Sequence, residues 1–211
     1  MSDPTIKGLY VIIDPDACAG RDAVDVARLA LEGGASMLQW RDKRREKGDQ
    51  LSDARAIRER CTQHSATFIV NDHVDLALVV EADGVHLGQH DLPVELARTL
   101  VPAGFILGVS TNNADEARQA EANGASYVAI GSVFPTQSKA AERTRAASVD
   151  RVREVKSALR VPVVAIGGIN ASNVGQVIEA GANAVAVISA VCSAPDPRAA
   201  AQELASRFVR R

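Results

Sequence analysis

The sequence predicts a compact (β/α)8 barrel built as a single domain over residues 1–211. Three observations carry this. Short runs rich in Val and Ile recur along the chain, apolar on both faces as buried parallel strands are. Segments with helical spacing separate most of them, which is the alternation of a parallel α/β fold. One helix-to-strand joint is repeated: LEGGASMLQW, EANGASYVAI and IEAGANAVAV each place Gly-Ala at a helix end just ahead of a strand. The glycine supplies a left-handed C-cap and the next apolar residues open the strand. An open doubly wound sheet would carry a Gly-rich turn after its first strand, and YVIIDPDACAG lacks it.

The elements follow in order. The first strand, Leu9–Ile13, stops at Asp14, and Asp22–Glu32 then reads as a helix through Val24, Val26, Ala27, Ala30 and Leu31. The second, Ser36–Trp40, runs into Arg41, Asp42 and Lys43, ahead of a helix over Leu51–His64 with Ala54, Ile57 and Cys61. The third, Thr67–Val70, ends in Asn71 and Asp72, and only a short helix, Val74–Val79, separates it from the fourth, Gly84–Leu87. The fourth leads to Gln89 and Asp91. Phe105–Val109 ends in Ser110 and Thr111 and precedes the helix Asp115–Asn123. Tyr127–Phe134 opens a long polar segment, then the helix Val149–Leu159. Val161–Ile169 carries Gly167 and Gly168, with Asn170 and a helix after them, and the eighth run, Ala184–Val191, contains Ile188 and Ser189.

The chain is 46% hydrophobic and 24% charged, an ordinary globular composition. Its formal net charge of -2 gives no basic footprint for nucleic acid. Cys18, Cys61 and Cys192 are odd in number and far apart, in no CxxC pattern, which suits buried thiols in a reducing, cytoplasmic setting. MSDPTIKGLY shows no secretory signal pattern, and no apolar run is long enough for a membrane helix. Small-molecule substrates are the expected partners, without nucleic acid or membrane, and homo-oligomerisation is left open.

In such a barrel the active site forms at the C-terminal ends of the strands, where this chain concentrates its polar residues. Asp72 and Asp91 are two carboxylates with no soft ligand beside them, which suits Mg²⁺, a cation that keeps waters and takes further oxygens from substrate phosphates. The plainer alternative makes each Asp the N-cap of the helix that follows. A zinc site through His73, His86 and His90 lacks a ligand signature, and a histidine inside a strand, as His86 is, is more often packed. Gln39, Arg41 and Lys43 alternate and can share one face, offering phosphate oxygens a planar fork and a mobile point charge; Arg44 to Lys47 read as a solvated run. The segment after the sixth strand brings Thr136, Ser138 and Lys139, and its length suits a lid or a surface insertion. Backbone N–H groups of Gly168 and Ser189, after the seventh and eighth strands, suit a phosphate group. A Schiff-base lysine at Lys43 or Lys139 would need a desolvated setting. A phosphate-ligand sensor using only Gly168 and Ser189 is the non-enzymatic alternative.

Together LYVIID, GGASMLQWRDK, FIVNDHVDLALVVEADGVHLGQHDLP, LGVSTNN, YVAIGSVFPTQSK and VPVVAIGGIN resemble the thiamine phosphate synthase family, over residues 8 to 192. The resemblance implies a transferase of thiamine biosynthesis that couples an aminopyrimidine-methyl diphosphate to a thiazole phosphate and releases pyrophosphate. It implies that Gln39, Trp40, Arg41, Asp42, Lys43 and Asn71 bind the pyrimidine diphosphate, joined by Ser110 and Lys139. By the same resemblance Asp72 and Asp91 hold Mg²⁺, and Thr136, Gln137, Ser138, Gly168, Ile188 and Ser189 hold the thiazole phosphate. Arg41, Lys43, Ser110 and Lys139 are then the catalytic set, acting on a dissociative step. Ser138 stands where the family commonly has threonine, which keeps the hydroxyl. A thiazole tautomerase relative shares the fold but lacks much of the diphosphate and metal set retained here.

Overall fold

The computed structural model describes residues 6–136 and 148–208. Eight parallel strands close into a barrel in chain order: β1 (Gly8–Ile13), β2 (Met37–Trp40), β3 (Thr67–Asn71), β4 (Gly84–Leu87), β5 (Ile106–Thr111), β6 (Tyr127–Ile130), β7 (Val163–Ile166) and β8 (Ala184–Val187). Around them lie α1 (Ala23–Glu32), α2 (Lys47–Gln63), α3 (Val74–Val79), α4 (Val94–Leu100), α5 (Ala114–Ala122), α6 (Val149–Ala158), α7 (Val174–Glu179), α8 (Ser189–Cys192) and α9 (Pro197–Ala205). The predicted barrel and its short third helix are both present. Among the described residues no helix is long and apolar enough to cross a membrane.

Apolarity on both strand faces has two destinations. Leu9, Val11 and Ile13 of β1, Leu38 and Trp40 of β2, and Phe68 and Val70 of β3 point outward, into the core between sheet and helices. Tyr10, Ile12, Met37, Ile69, Ile106, Tyr127, Ala129, Val164, Ala184 and Ala186 point inward and fill the barrel. A period of two along each strand therefore decides which residues can reach a site at the barrel mouth.

The three repeated joints share one geometry. Gly34, Gly124 and Gly181 have φ of +94°, +96° and +96°. The alanine after each donates back to the helix, Ala35 to Ala30 at 3.0 Å, Ala125 to Ala120 at 2.9 Å and Ala182 to Val177 at 3.3 Å. This closes the helix and turns the chain into the next strand. Two further copies use no glycine: Ser65 and Glu81, each at φ 54°, stand in that place after α2 and α3. Some boundaries differ from expectation. The sixth strand stops at Ile130, because Val133 and Phe134 donate to Ile166 and Gly167 instead of extending the ladder. The eighth stops at Val187, and Ser189 opens the single-turn α8. The helices α4 and α9 add to those expected; Asp196 caps α9 by accepting from Ala199 at 3.0 Å, ahead of Pro197.

Candidate active site

One cavity opens at the C-terminal ends of the strands. Gln39 lies on the inward side of β2, and Arg41 and Lys43 continue that side past its end. With Asn71 and Asp72 at the end of β3, Gly88 to Asp91 after β4, and Ser110 on β5, they form one wall. Tyr10, Ile12, Ala129, Val164, Ile166, Ala186 and Ile188 complete the lining.

Trp40 and Asp42 alternate with those residues and turn away from the mouth. Trp40 is buried in the outer core; its indole N–H donates to Gln50 at 3.0 Å, and the Arg45 guanidinium lies 5.5 Å from the ring centroid. Asp42 accepts from the backbone N–H groups of Arg44 and Arg45 at 2.9 and 3.1 Å and pairs with the Arg45 side chain at 2.5 Å. Burial pushes the Asp42 carboxyl up, but these hydrogen bonds outweigh it and hold it below the usual aspartate range. Both side chains anchor the loop ahead of α2 and point away from the cavity that Gln39, Arg41 and Lys43 line. The charged run is exposed, as expected, but paired: Arg44 meets Asp16 at 2.7 Å and Lys47 meets Asp75 at 2.5 Å.

Both cations of the wall rest on carboxylates. Arg41 pairs with Asp14, a buried acid at the end of β1, and Lys43 pairs with Asp72. The helix-cap alternative does not describe Asp72 or Asp91: the N-caps of α3 and α4 are His73 and Pro93. Asp72 instead sits in the left-handed region at φ 61°, its N–H held by the His86 carbonyl at 2.8 Å. Such conformations are uncommon outside glycine and gather at functional sites. Asp91 accepts from the Gly88 N–H at 2.6 Å. Burial and then the neighbouring Asp72 raise the Asp91 carboxyl above the usual range. Two carboxylates sharing a wall repel, and a divalent cation would relieve that conflict; the donor set fits Mg²⁺, which needs only one or two carboxylates beside phosphate oxygens and water. Zinc fits poorly, since His86 directs both ring nitrogens to Tyr127 and Ser110.

The other arc of the rim comes from β6 to β8. Ile188 lines the cavity, Ser189 is exposed at the start of α8, and Thr136 is exposed near the end of β6. Gly168 has φ +66°, and a Cβ there would stand 2.5 Å from the Pro135 carbonyl oxygen and 2.8 Å from Phe134 Cβ. Its missing side chain therefore admits the chain segment after β6. Gln137, Ser138 and Lys139 lie outside the described residues.

Beneath the cavity the sequence points to Gln39, His86 and Ser110 but not to Tyr10 or Tyr127, which join them. Gln39 Nε2 donates to the Tyr10 hydroxyl at 2.6 Å, and the Tyr10 and Tyr127 hydroxyls lie 3.1 Å apart. Tyr127 meets His86 Nδ1 at 3.0 Å, and His86 Nε2 meets Ser110 Oγ at 2.9 Å. One signal was available: Gly108 interrupts the β5 run, and a Cβ there would collide with the Tyr127 ring.

Comparisons with known proteins place relatives of this chain in one family. A family model described as thiamine monophosphate synthase matches residues 9–191. A thiamine-phosphate synthase of Methanospirillum hungatei is 46% identical over 96% of this chain and 98% of its own length. One from Methanoculleus marisnigri is 49% identical over 95% of this chain and 94% of its own. The solved structure of a thiamine phosphate pyrophosphorylase from Pyrococcus furiosus matches with a TM-score of 0.88 at 39% identity, covering 96% of this chain and 95% of that one.

Proposed function

The chain belongs to the thiamine monophosphate synthase family and is a transferase of thiamine biosynthesis, and from that premise we propose the reaction and the roles of its residues. The substrates are hydroxymethylpyrimidine diphosphate and hydroxyethylthiazole phosphate, or its carboxylated form; the products are thiamine phosphate and pyrophosphate. The observation that carries this reading is the single wall that gathers Gln39, Arg41, Lys43, Asn71, Asp72, Asp91 and Ser110.

The C–O bond between the pyrimidine methylene and the diphosphate breaks, and the electron pair leaves with pyrophosphate. The lone pair of the thiazole nitrogen then forms the new C–N bond at the methylene. Negative charge grows on the departing oxygens, so fixed cations aimed there lower the barrier. Arg41 and Lys43 supply them from the wall, each exchanging its carboxylate partner for a phosphate oxygen, and Lys139 supplies a third. Asp72 and Asp91 would hold Mg²⁺, which would add charge neutralisation on the diphosphate. Ser110 meets the pyrimidine. Across the rim Thr136, Gln137, Ser138, Gly168, Ile188 and Ser189 hold the thiazole phosphate. No side-chain nucleophile is needed.

A pyrophosphate-release assay with each substrate omitted in turn tests the reaction. Pyrophosphate should appear only with both substrates and Mg²⁺ present. Release from the pyrimidine diphosphate alone at the full rate, or thiazole isomerisation without release, would replace the synthase reading.

A further inference from the structure

Four hydrogen bonds link five side chains, Gln39, Tyr10, Tyr127, His86 and Ser110, across the barrel interior. Tyr10 and Tyr127 are almost wholly buried, and burial raises both phenols well above the usual tyrosine range, so each stays neutral with one proton to give. Gln39 donates its amide N–H to Tyr10. The Tyr10 and Tyr127 hydroxyls meet at 3.1 Å, Tyr127 meets His86 Nδ1 at 3.0 Å, and His86 Nε2 meets Ser110 Oγ at 2.9 Å. The far end of the chain from Gln39 is the Ser110 hydroxyl, which lines the mouth.

We infer that Tyr10, Tyr127 and His86 are positioning residues, a hydrogen-bonded chain anchored at Gln39 that holds the Ser110 hydroxyl in place for the pyrimidine substrate. This rests on the proposed contact between Ser110 and that substrate. Ring packing supports this placement. The Tyr127 ring stacks on His86 at 5.6 Å and meets Tyr10 edge-on at 6.3 Å, so the three rings hold one another in place. Tyr127 is fully buried and does not line the mouth, so it acts on substrate only through its neighbours.

A double-mutant cycle tests the chain. Steady-state pyrophosphate release is measured at saturating thiazole phosphate for the parent, Tyr127→Phe, Ser110→Ala and the double variant. Tyr127→Phe should lower kcat/KM for the pyrimidine diphosphate by about tenfold, the worth of one hydrogen bond, and leave KM for the thiazole phosphate unchanged. In the Ser110→Ala background the same change should cost less than about twofold, because coupled residues are not additive. An equal loss in both backgrounds makes Tyr127 a packing residue and overturns the inference. Parental kinetics in Ser110→Ala would instead remove the Ser110 contact itself, a distinguishable result that takes the chain's role with it. Thermal melts accompany each variant. Should Tyr127→Phe not fold, Tyr10→Phe, one link nearer Gln39, carries the same cycle with the same expected non-additivity.

Discussion

Gln39 and Trp40 are chain neighbours, yet Gln39 faces the mouth and Trp40 the outer core, where its N–H holds Gln50. Trp40→Phe keeps most of the apolar volume but leaves the buried Gln50 amide oxygen without that donor. An unmade buried hydrogen bond costs about 1–3 kcal/mol, or roughly 2–12 °C in Tm for a chain of this size. Both Michaelis constants should stay within about twofold, since such a change acts through packing. Calorimetry and initial rates check the pair. A large rise in KM for the pyrimidine diphosphate with an unchanged Tm would return Trp40 to the binding site. The alternation that separates Gln39 from Trp40 was already legible in the sequence, and it correctly joined Gln39, Arg41 and Lys43. It could not show that Arg41 rests on Asp14, because that pairing depends on two neighbouring strands ending side by side. His86 reads as a packed strand histidine, and only the folded barrel brings Tyr127 to one of its ring nitrogens and Ser110 to the other.

The helix-to-strand joint is the repeating element, and its backbone conformation outlasts its sequence signature. Three copies announce themselves by Gly-Ala, whereas Ser65 and Glu81 adopt the same left-handed conformation without one. Their alanines close the same bond, Ala66 to Cys61 and Ala82 to Ala77, both at 2.9 Å. A non-glycine there costs about 1–2 kcal/mol, and glycine returns about 0.5–1 kcal/mol of that as entropy lost on folding. Glu81→Gly, at an exposed position, should therefore raise stability by roughly 0.5–1 kcal/mol. The reverse exchange is equally clean. A Cβ on Gly124 would meet only Arg98 atoms at 3.7 Å, an ordinary contact, so Gly124→Ala carries backbone strain without a clash and, by the same balance, should lower stability by roughly 0.5–1 kcal/mol. Denaturant melts that move both variants in the same direction would mean that φ does not set the energetics of the joint. Strand ends were less legible than these joints: Tyr127–Phe134 reads as one apolar run, but Gly131 packs against Ile166 and the chain leaves the sheet there.

At the scale of the molecule, a closed barrel brings charges from separate strands to one end. Among the described residues of the mouth, Asp14, Asp72 and Asp91 face Arg41 and Lys43, three carboxylates against two cations. A bare diphosphate meets two cations that already have partners and an acid that has none among them. Mg²⁺ drawn to Asp72 and Asp91 would release Lys43 from Asp72 and leave it for phosphate. The two ligands should therefore help each other bind. Titration calorimetry with pyrophosphate as the probe should show its Kd falling at least about tenfold when Mg²⁺ is present, a coupling of roughly 1.4 kcal/mol. Linkage then requires pyrophosphate to tighten Mg²⁺ by the same factor, after correction for the Mg²⁺–pyrophosphate complex in solution. The pH dependence has a fixed sign. Because burial and Asp72 hold the Asp91 carboxyl above the usual range, Asp91 takes up a proton earlier than an ordinary aspartate as pH falls. Mg²⁺ affinity should weaken on the acid side and recover as pH rises through that carboxyl. Asp91→Asn removes the titrating group, so it should flatten this dependence and most of the coupling together. Pyrophosphate affinity that ignores Mg²⁺ in the parent would detach the two acids from the metal and leave Arg41 and Lys43 as the diphosphate contacts among the described residues of the mouth.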